Sequence, residues 1–136
     1  MRKFNLLILI FCSFCSAAFA FTAGNIVVVR VGDGTGTLTS ASAPVYLDEY
    51  TPNGTFVQSV ALPTTASGGN HAFTLSGSAS SEGALTLSVD GRYLVLAGYD
   101  APAGVATVSS DSTINRTIAR VDALQNVNTT TGFLAN

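Results

Sequence analysis

Residues 84–99 read ALTLSVDGRYLVLAGY, and this stretch decides the fold class. Two runs rich in β-branched, aromatic and other apolar residues, Ala84–Val89 and Arg92–Tyr99, flank the dipeptide Asp90-Gly91. Asp and Gly both tolerate the positive φ angles of a tight hairpin turn. The two runs are therefore predicted to pair as an antiparallel hairpin with a two-residue loop.

The same pattern of short runs and turn residues recurs along the rest of the chain. Pro52-Asn53-Gly54 separates Ala43–Thr51 from Thr55–Leu62 and predicts a second hairpin. No segment has the apolar period of an amphipathic helix, and two tight hairpins indicate an all-β fold of antiparallel meander sheets. The remaining predicted strands are Asn25–Val31, Ala72–Ser76, Val105–Val108, Thr113–Asp122 and Val127–Thr131.

A weak internal repeat relates the two halves of this all-β region. Tyr46-Leu47-Asp48 followed by a turn parallels Arg120-Val121-Asp122, and Ile26–Val31 precedes the first as Tyr93–Gly98 precedes the second. The repeat is about 70 residues long, which accommodates four strands and their loops. We expect Asp48 and Asp122 each to end a strand and to bind backbone N–H groups of the following turn.

The first twenty residues have the pattern of a signal peptide. Arg2 and Lys3 precede the apolar run Leu6–Phe14, and Ala18-Phe19-Ala20 supplies small residues for cleavage after Ala20. We therefore expect an exported, extracellular domain of residues 21–136. The apolar run is shorter than the roughly 20 residues of a membrane span and no second run follows, so no span is expected in the mature chain.

Removal of this segment also removes both cysteines and the only lysine. Cys12, Cys15 and Lys3 all leave with it, so the expected mature chain has no thiol for a disulfide or a metal site. Its remaining cations are four arginines against eight acids, which excludes the basic patch of a nucleic-acid-binding protein. The single histidine, His71, follows a Gly-rich turn and is predicted to face solvent from a loop.

The sequence predicts no catalytic, cofactor-binding or metal-binding residue, and no cofactor. A triad or zinc site built on His71 lacks sequence partners. Adjacent residues of a strand point to opposite faces, so Asp48 and Glu49 cannot form a catalytic carboxylate pair. Asp90 is assigned to its turn, and the Gly-rich segment 33–37 to a flexible turn. Asn53, Asn115 and Asn128 lie in N-x-[ST] sequons, whose use depends on the host.

One candidate ligand surface consists of four tyrosines. Their rings could stack on a carbohydrate, or they could pack against neighbouring strands. The set is Tyr46, Tyr50, Tyr93 and Tyr99.

Two segments carry a resemblance to a known architecture. Ser88–Asp100 resembles the S-x-D-G-R-Y-L hairpin of many secreted β-propeller blades, and Val45–Pro63 is similar to the outer hairpin of a group of large secreted bacterial-type propeller-like proteins. The resemblance implies an incomplete first blade over residues 25–62, with Ala72–Ser76 as a candidate fourth strand, and a four-stranded second blade over residues 84–131. Because propellers have about 4–8 blades, it also implies that this chain is the N-terminal fragment of a longer propeller.

Two sheets of this size leave apolar faces and edges that need a partner. We therefore expect self-association or missing C-terminal blades, with a small two-sheet β-sandwich as the alternative fold. The function predicted is that of a secreted structural or adhesive β-module at the cell surface, not an enzyme. The alternatives are a module that binds a surface polysaccharide or another surface ligand, and a fragment of a propeller hydrolase whose active site lies outside this chain.

Overall fold

The computed structural model describes residues 20–134, so the predicted signal peptide lies almost entirely outside the described residues. Within this range the chain forms nine β-strands and no helix. The strands are β1 (Ile26–Val31), β2 (Ser42–Ala43), β3 (Val45–Tyr50), β4 (Phe56–Ala61), β5 (Leu75–Ser76), β6 (Thr86–Leu87), β7 (Tyr93–Tyr99), β8 (Arg116–Asp122) and β9 (Val127–Phe133).

These strands form two main open sheets in which every pairing is antiparallel. Sheet 1 has the order β1-β3-β4, and sheet 2 has the order β6-β7-β8-β9. The short strands β2 and β5 form a separate two-stranded ribbon. The prediction of an all-β fold with antiparallel sheets is confirmed.

Both predicted hairpins form, but one of them has a longer loop than expected. Strands β3 and β4 are joined through Gly54, whose φ of 82° is the conformation that favours glycine. Pairing of β6 with β7 ends at Leu87, and the prediction of a two-residue loop is wrong. The Ser88 N–H donates to the Tyr93 carbonyl oxygen and closes this longer turn, and the Ser88 hydroxyl accepts hydrogen bonds from the backbone N–H groups of Arg92 and Tyr93 within it.

Two segments that were predicted as strands have a different secondary structure, and both pack side chains into the apolar clusters. Val105–Val108 forms turns, and Val108 is buried in a small cluster with Tyr99 and Ala101. Of Ala72–Ser76, only Leu75–Ser76 is a strand, and it pairs with β2 rather than with β1. This segment therefore does not supply a fourth strand to sheet 1.

One apolar core joins the inner faces of the two sheets. Strand alternation places Val45 and Leu47 of β3 on the same side, where they meet Leu96 of β7 and Val121 of β8. The segment before β5 adds Phe73, which is fully buried in this core. The full set of buried members is Val45, Leu47, Val60, Leu62, Phe73, Leu75, Leu96, Ala119 and Val121.

The strand order repeats between the sheets, although the aspartates do not occupy equivalent positions. Strands β1-β3-β4 and β7-β8-β9 have the same order and direction. Asp122 ends β8, and its carboxylate accepts the backbone N–H of Asn126, as expected for a turn aspartate. Asp48 lies inside β3 and is buried, so the expectation that it ends a strand and binds turn N–H groups is wrong. Its carboxylate is bound instead by side chains of the neighbouring strands.

Candidate functional site

The four candidate tyrosines lie on the outer faces of the two sheets, away from the shared core. Tyr46 and Tyr50 lie on β3, where Leu47 between them belongs to the core. Tyr93 and Tyr99 lie on β7, where Leu94 and Leu96 point to the core. Because the inner faces pack together, the two pairs lie on opposite sides of the molecule. The structure therefore places two tyrosines on each sheet and does not bring the four together as one surface.

An arginine lies over three of these rings. The guanidinium carbon of Arg30 is 4.1 Å from the ring centre of Tyr46, and that of Arg116 is 4.4 Å from the ring centre of Tyr99. Arg120 lies 5.2 Å from the ring centre of Tyr93. These distances fall within the range of cation–π attraction, so one side of each ring already has a partner within the chain.

The outer face of sheet 1 combines aromatic, apolar and charged side chains. Tyr50 contacts Phe56 of β4 edge to face, with ring centres 5.6 Å apart. Ile26, Val28 and Phe56 are 52%, 42% and 54% exposed. The register pairs Ile26 with Tyr50 and Val28 with Asp48, so these side chains share one face. We call this surface, formed by Ile26, Val28, Arg30, Tyr46, Asp48, Tyr50, Phe56 and Ser59, the outer face of sheet 1.

A polar cluster holds the centre of this face together. The Nε of Arg30 donates to Asp48 across the β1–β3 pair at 2.6 Å, and the Ser59 hydroxyl donates to the same carboxylate from β4. Burial acts to raise the pKa of Asp48, but the hydrogen bonds from Arg30 and Ser59 and the arginine charge outweigh it and hold the pKa below 3.8. Asp48 is thus ionised and connects three strands, and most of the hydrogen-bond acceptor positions of its carboxylate are used by Arg30 and Ser59.

Tyr99 is the most enclosed of the four tyrosines, at 7% exposure. Its hydroxyl donates to the carboxylate of Glu82, which also accepts the backbone N–H of Ser76. Burial, together with the hydrogen bond to Glu82 and the charge of Glu82, raises the pKa of Tyr99 to about 12. A depression of about 260 Å³ beside this pair is lined by both side chains and by Arg116 and Phe133. The phenol is a hydrogen-bond donor here and not a base at neutral pH.

His71 has a partner that the sequence did not indicate. Its Nδ1 lies 2.8 Å from a carboxylate oxygen of Asp100, and its side chain is 38% exposed. Asn115 and Thr130 line the shallow depression around this pair. The Thr130 hydroxyl donates to Asn128, and no hydroxyl of residues 20–134 is hydrogen-bonded to the His71 ring. The pair therefore has no activated nucleophile within the described residues.

The remaining acids have structural partners. Asp90 accepts the Ser88 hydroxyl and the backbone N–H of Arg92, and Asp33 accepts the backbone N–H of Thr35, so both belong to turns as predicted. Glu49 points to the inner side of sheet 1, opposite to Asp48, as strand alternation requires.

Residues 20–134 contain no group of three or more His, Cys, Asp or Glu side chains arranged to hold a metal ion. Over the same range no helix meets the length and hydropathy needed to cross a membrane.

Two kinds of side-chain pair could not be predicted from the residue pattern of a single strand. The arginine–tyrosine pairs depend on the register between strands, and the His71–Asp100 pair joins a loop to the end of β7. By contrast, the position of Glu49 could be predicted from the sequence. Alternation along β3 places Glu49 on the same face as Val45 and Leu47, which puts an acid on an apolar face.

Comparison of the chain with known proteins gave no match to a family model, to a curated protein or to a solved structure.

Proposed function

We propose that this protein is an exported, non-catalytic β-module that acts at the cell exterior by packing sheet against sheet. The observation that carries the proposal is the outer face of sheet 1, where Ile26, Val28 and Phe56 are each at least 42% exposed. Three exposed apolar residues surround a polar cluster whose members are already hydrogen-bonded to one another, and such a surface favours contact with another protein surface over contact with water.

The open edge of sheet 1 supports the same proposal. In sheet 2, β6 pairs with the side of β7 that faces away from β8. The corresponding side of β1 in sheet 1 is an edge, and β1 carries only one charged residue, Arg30. Edge strands with so little charge are prone to pair with another chain. The likeness of Ser88–Asp100 to propeller hairpins fits a module that works within a larger stack of sheets.

We propose that the occupant of this face in the isolated protein is a second copy of the chain. Sedimentation equilibrium of the purified protein from micromolar to millimolar concentration is expected to show reversible self-association. Val28→Asp is expected to weaken the association by at least tenfold, because it places a charge in the apolar face. Val89→Asp is the matched control, since Val89 is fully exposed in a turn outside this face and its substitution should leave association unchanged.

A monodisperse monomer that binds no hydrophobic dye over the whole concentration range would refute the proposal. Equal weakening by the two substitutions would also count against it, because the effect would then come from net charge and not from this face.

A second candidate function, binding of a polysaccharide, is favoured by the aromatic pair of half-buried Tyr50 and exposed Phe56. The exposed face of the Phe56 ring could stack on a sugar ring, with Tyr50 packed edge to face beside it. Retention of the protein on a polysaccharide column, lost in a Tyr50→Ala/Phe56→Ala double variant, is the result expected from this function. No retention on a broad glycan array would exclude it.

A further inference from the structure

Glu49 is a buried acid whose charge is not balanced by any cation in the described part of the chain. Its side chain is 0% exposed and lies on the inner side of β3, with the parity of Val45 and Leu47. Neither of the ion pairs formed within residues 20–134 includes it. A buried carboxylate without a counter-charge is costly unless hydrogen-bond donors or a cation compensate it.

Three N–H donors surround this carboxylate. The backbone N–H of Thr22 and the side-chain amide of Asn25 each donate to Oε1 at 2.7 Å, and the Gln58 amide donates to Oε2. Burial acts to raise the pKa of Glu49, but these donors outweigh it and hold the pKa below 4.5, so the group is ionised at neutral pH. A hydrogen bond from the Thr22 side chain also lowers the pKa of Glu49.

Two of the three donors, Thr22 and Asn25, closely follow the predicted cleavage site, and the third, Gln58 of β4, also contacts it. The Gln58 amide that binds Glu49 also donates to the carbonyl oxygen of Ala20 at 2.9 Å. Thr22, whose N–H binds Oε1, directly follows Phe21 in the chain. Given the length of one residue of backbone, the Phe21 nitrogen lies within roughly 6 Å of Oε1.

The Phe21 nitrogen is itself held in place. Its N–H donates to the carbonyl oxygen of Ala123 at 2.9 Å, which ties it to the turn between β8 and β9. Cleavage after Ala20 would leave this nitrogen at the same position and add protons to it.

We propose that Glu49 is the binding site for the new amino terminus that signal-peptide cleavage creates at Phe21. The inference rests on the export part of the proposed function, and not on self-association. Water hydrolyses the Ala20–Phe21 amide: its hydroxyl oxygen bonds to the Ala20 carbonyl carbon, the C–N bond breaks, and the Phe21 nitrogen takes up protons to become an ammonium group. That ammonium keeps its hydrogen bond to Ala123 and places its positive charge beside the Glu49 carboxylate.

The processed chain would then contain the counter-charge that Glu49 lacks. The other ionisable side chains around this position are Arg92, Tyr93 and Asp122, which line the adjoining groove of about 540 Å³ together with Phe21. An ammonium beside an ionised carboxylate is stabilised in its charged form, so the pKa of the Phe21 amine should rise above the ordinary value of about 8.

The composition of the chain makes the test specific. Lys3 is the only lysine of the sequence and precedes the cleavage site, so the exported protein contains a single amine. The full-length chain is expressed in an exporting host, and the intact mass of the secreted product identifies its first residue. Cyanate then carbamylates the amine at a series of pH values, and the rate profile gives its pKa separately from any steric protection.

We expect a product that starts at Phe21 and an amine pKa at least one unit higher than in the same protein unfolded in urea, which corresponds to reaction about tenfold slower at neutral pH. Glu49→Gln should return the pKa to its unfolded value. Asp33→Asn is the matched control, because it removes an exposed acid from a distant turn and should leave the amine unchanged.

Three outcomes would overturn the inference. One is a product that starts at another residue, which would show that the export prediction fails at this site. Another is a Phe21 amine with the same pKa in the folded and unfolded protein, which needs no variant and so remains informative if Glu49→Gln does not fold. The last is an equal fall of the pKa in Glu49→Gln and Asp33→Asn. Self-association is measured separately by sedimentation and is not affected by these readouts.

Discussion

Asp48 and Arg30 show how a single charged pair connects the strands of sheet 1. Asp48 is buried, while the Arg30 side chain is 37% exposed and lies over Tyr46. The buried aspartate therefore needs the arginine to balance its charge, whereas water can solvate the charge of the arginine. Removal of Arg30 leaves a buried carboxylate with Ser59 as its remaining side-chain donor.

We predict that Arg30→Met lowers the free energy of unfolding by about 1–3 kcal/mol, less than the loss of a fully buried pair because solvent reaches the arginine. Arg92→Met is the control. Arg92 is exposed and 5.8 Å from the ring centre of Tyr93, so its loss should cost about 0.5 kcal/mol or less. Urea denaturation at pH 7 measures both, and similar losses in the two variants would contradict the assigned role of Asp48.

The pH dependence of this pair follows from the lowered pKa of Asp48. A carboxyl whose pKa is lower in the folded state stabilises the fold above its unfolded pKa, and this contribution is lost as pH falls through the folded value. Without Arg30, burial raises the pKa of Asp48 in the variant. The stability difference between the wild type and Arg30→Met should therefore be largest near pH 7 and shrink as pH falls from the raised pKa of the variant to the lowered pKa of the wild type. Urea titrations at several pH values test this, and a difference that grows on acidification would contradict it.

Gly98 in β7 is required by a close contact with the core. A Cβ atom at this position would lie 2.6 Å from Cζ of Phe73 and 2.8 Å from the carbonyl oxygen of Thr74. We predict that Gly98→Ala destabilises the protein by about 1–3 kcal/mol, because neither the buried ring nor the backbone can move freely. Gly36→Ala is the control, with no atom within 4 Å of its added Cβ, and thermal unfolding should separate the two. Equal melting temperatures would show that the Phe73 contact is not tight.

At the scale of elements, the turn between β6 and β7 depends on a serine. The Ser88 hydroxyl accepts two backbone N–H groups and donates to Asp90. Only two residues of β6 pair with β7, so this turn contributes a large share of the contact between them.

We predict that Ser88→Ala costs about 1–2 kcal/mol and increases hydrogen exchange chiefly at Tyr93, because its N–H loses the Ser88 hydroxyl as acceptor, whereas the Arg92 N–H keeps the Asp90 carboxylate. Ser80→Ala at an exposed loop position should change neither quantity. An exchange rate at Tyr93 that matches the wild type would mean that the Ser88 hydroxyl does not hold this turn.

Alternation and turn residues predicted β1, β3, β4, β7, β8 and β9 and both hairpins, because these depend on interactions close in sequence. The segment Val105–Val108 shows the limit of such patterns. Its valines have high strand propensity, but Val108 is buried against Tyr99 from a turn, a position that only tertiary packing determines. The same holds for the candidate site: alternation places the tyrosines on one side of each strand, whereas their arginine partners follow from register.

At the scale of the whole molecule, the two sheets cover each other on their inner faces and leave the outer face of sheet 1 open. One core of nine buried residues joins the sheets, while Ile26, Val28 and Phe56 remain in contact with solvent. Within the described residues, the inner faces of the sheets are thus covered and the outer face of sheet 1 is exposed. This asymmetry is the physical basis of the proposed packing of sheet against sheet.

Hydrogen exchange of β1 as a function of protein concentration measures this claim most directly. If another sheet covers the outer face and pairs with the open edge, the β1 amides that point to this edge, which alternate with those bonded to β3, should become at least tenfold more protected between micromolar and millimolar protein. The amides of the central strand β3, already paired on both sides, should change little. Exchange in β1 that is fast and independent of concentration would contradict the account.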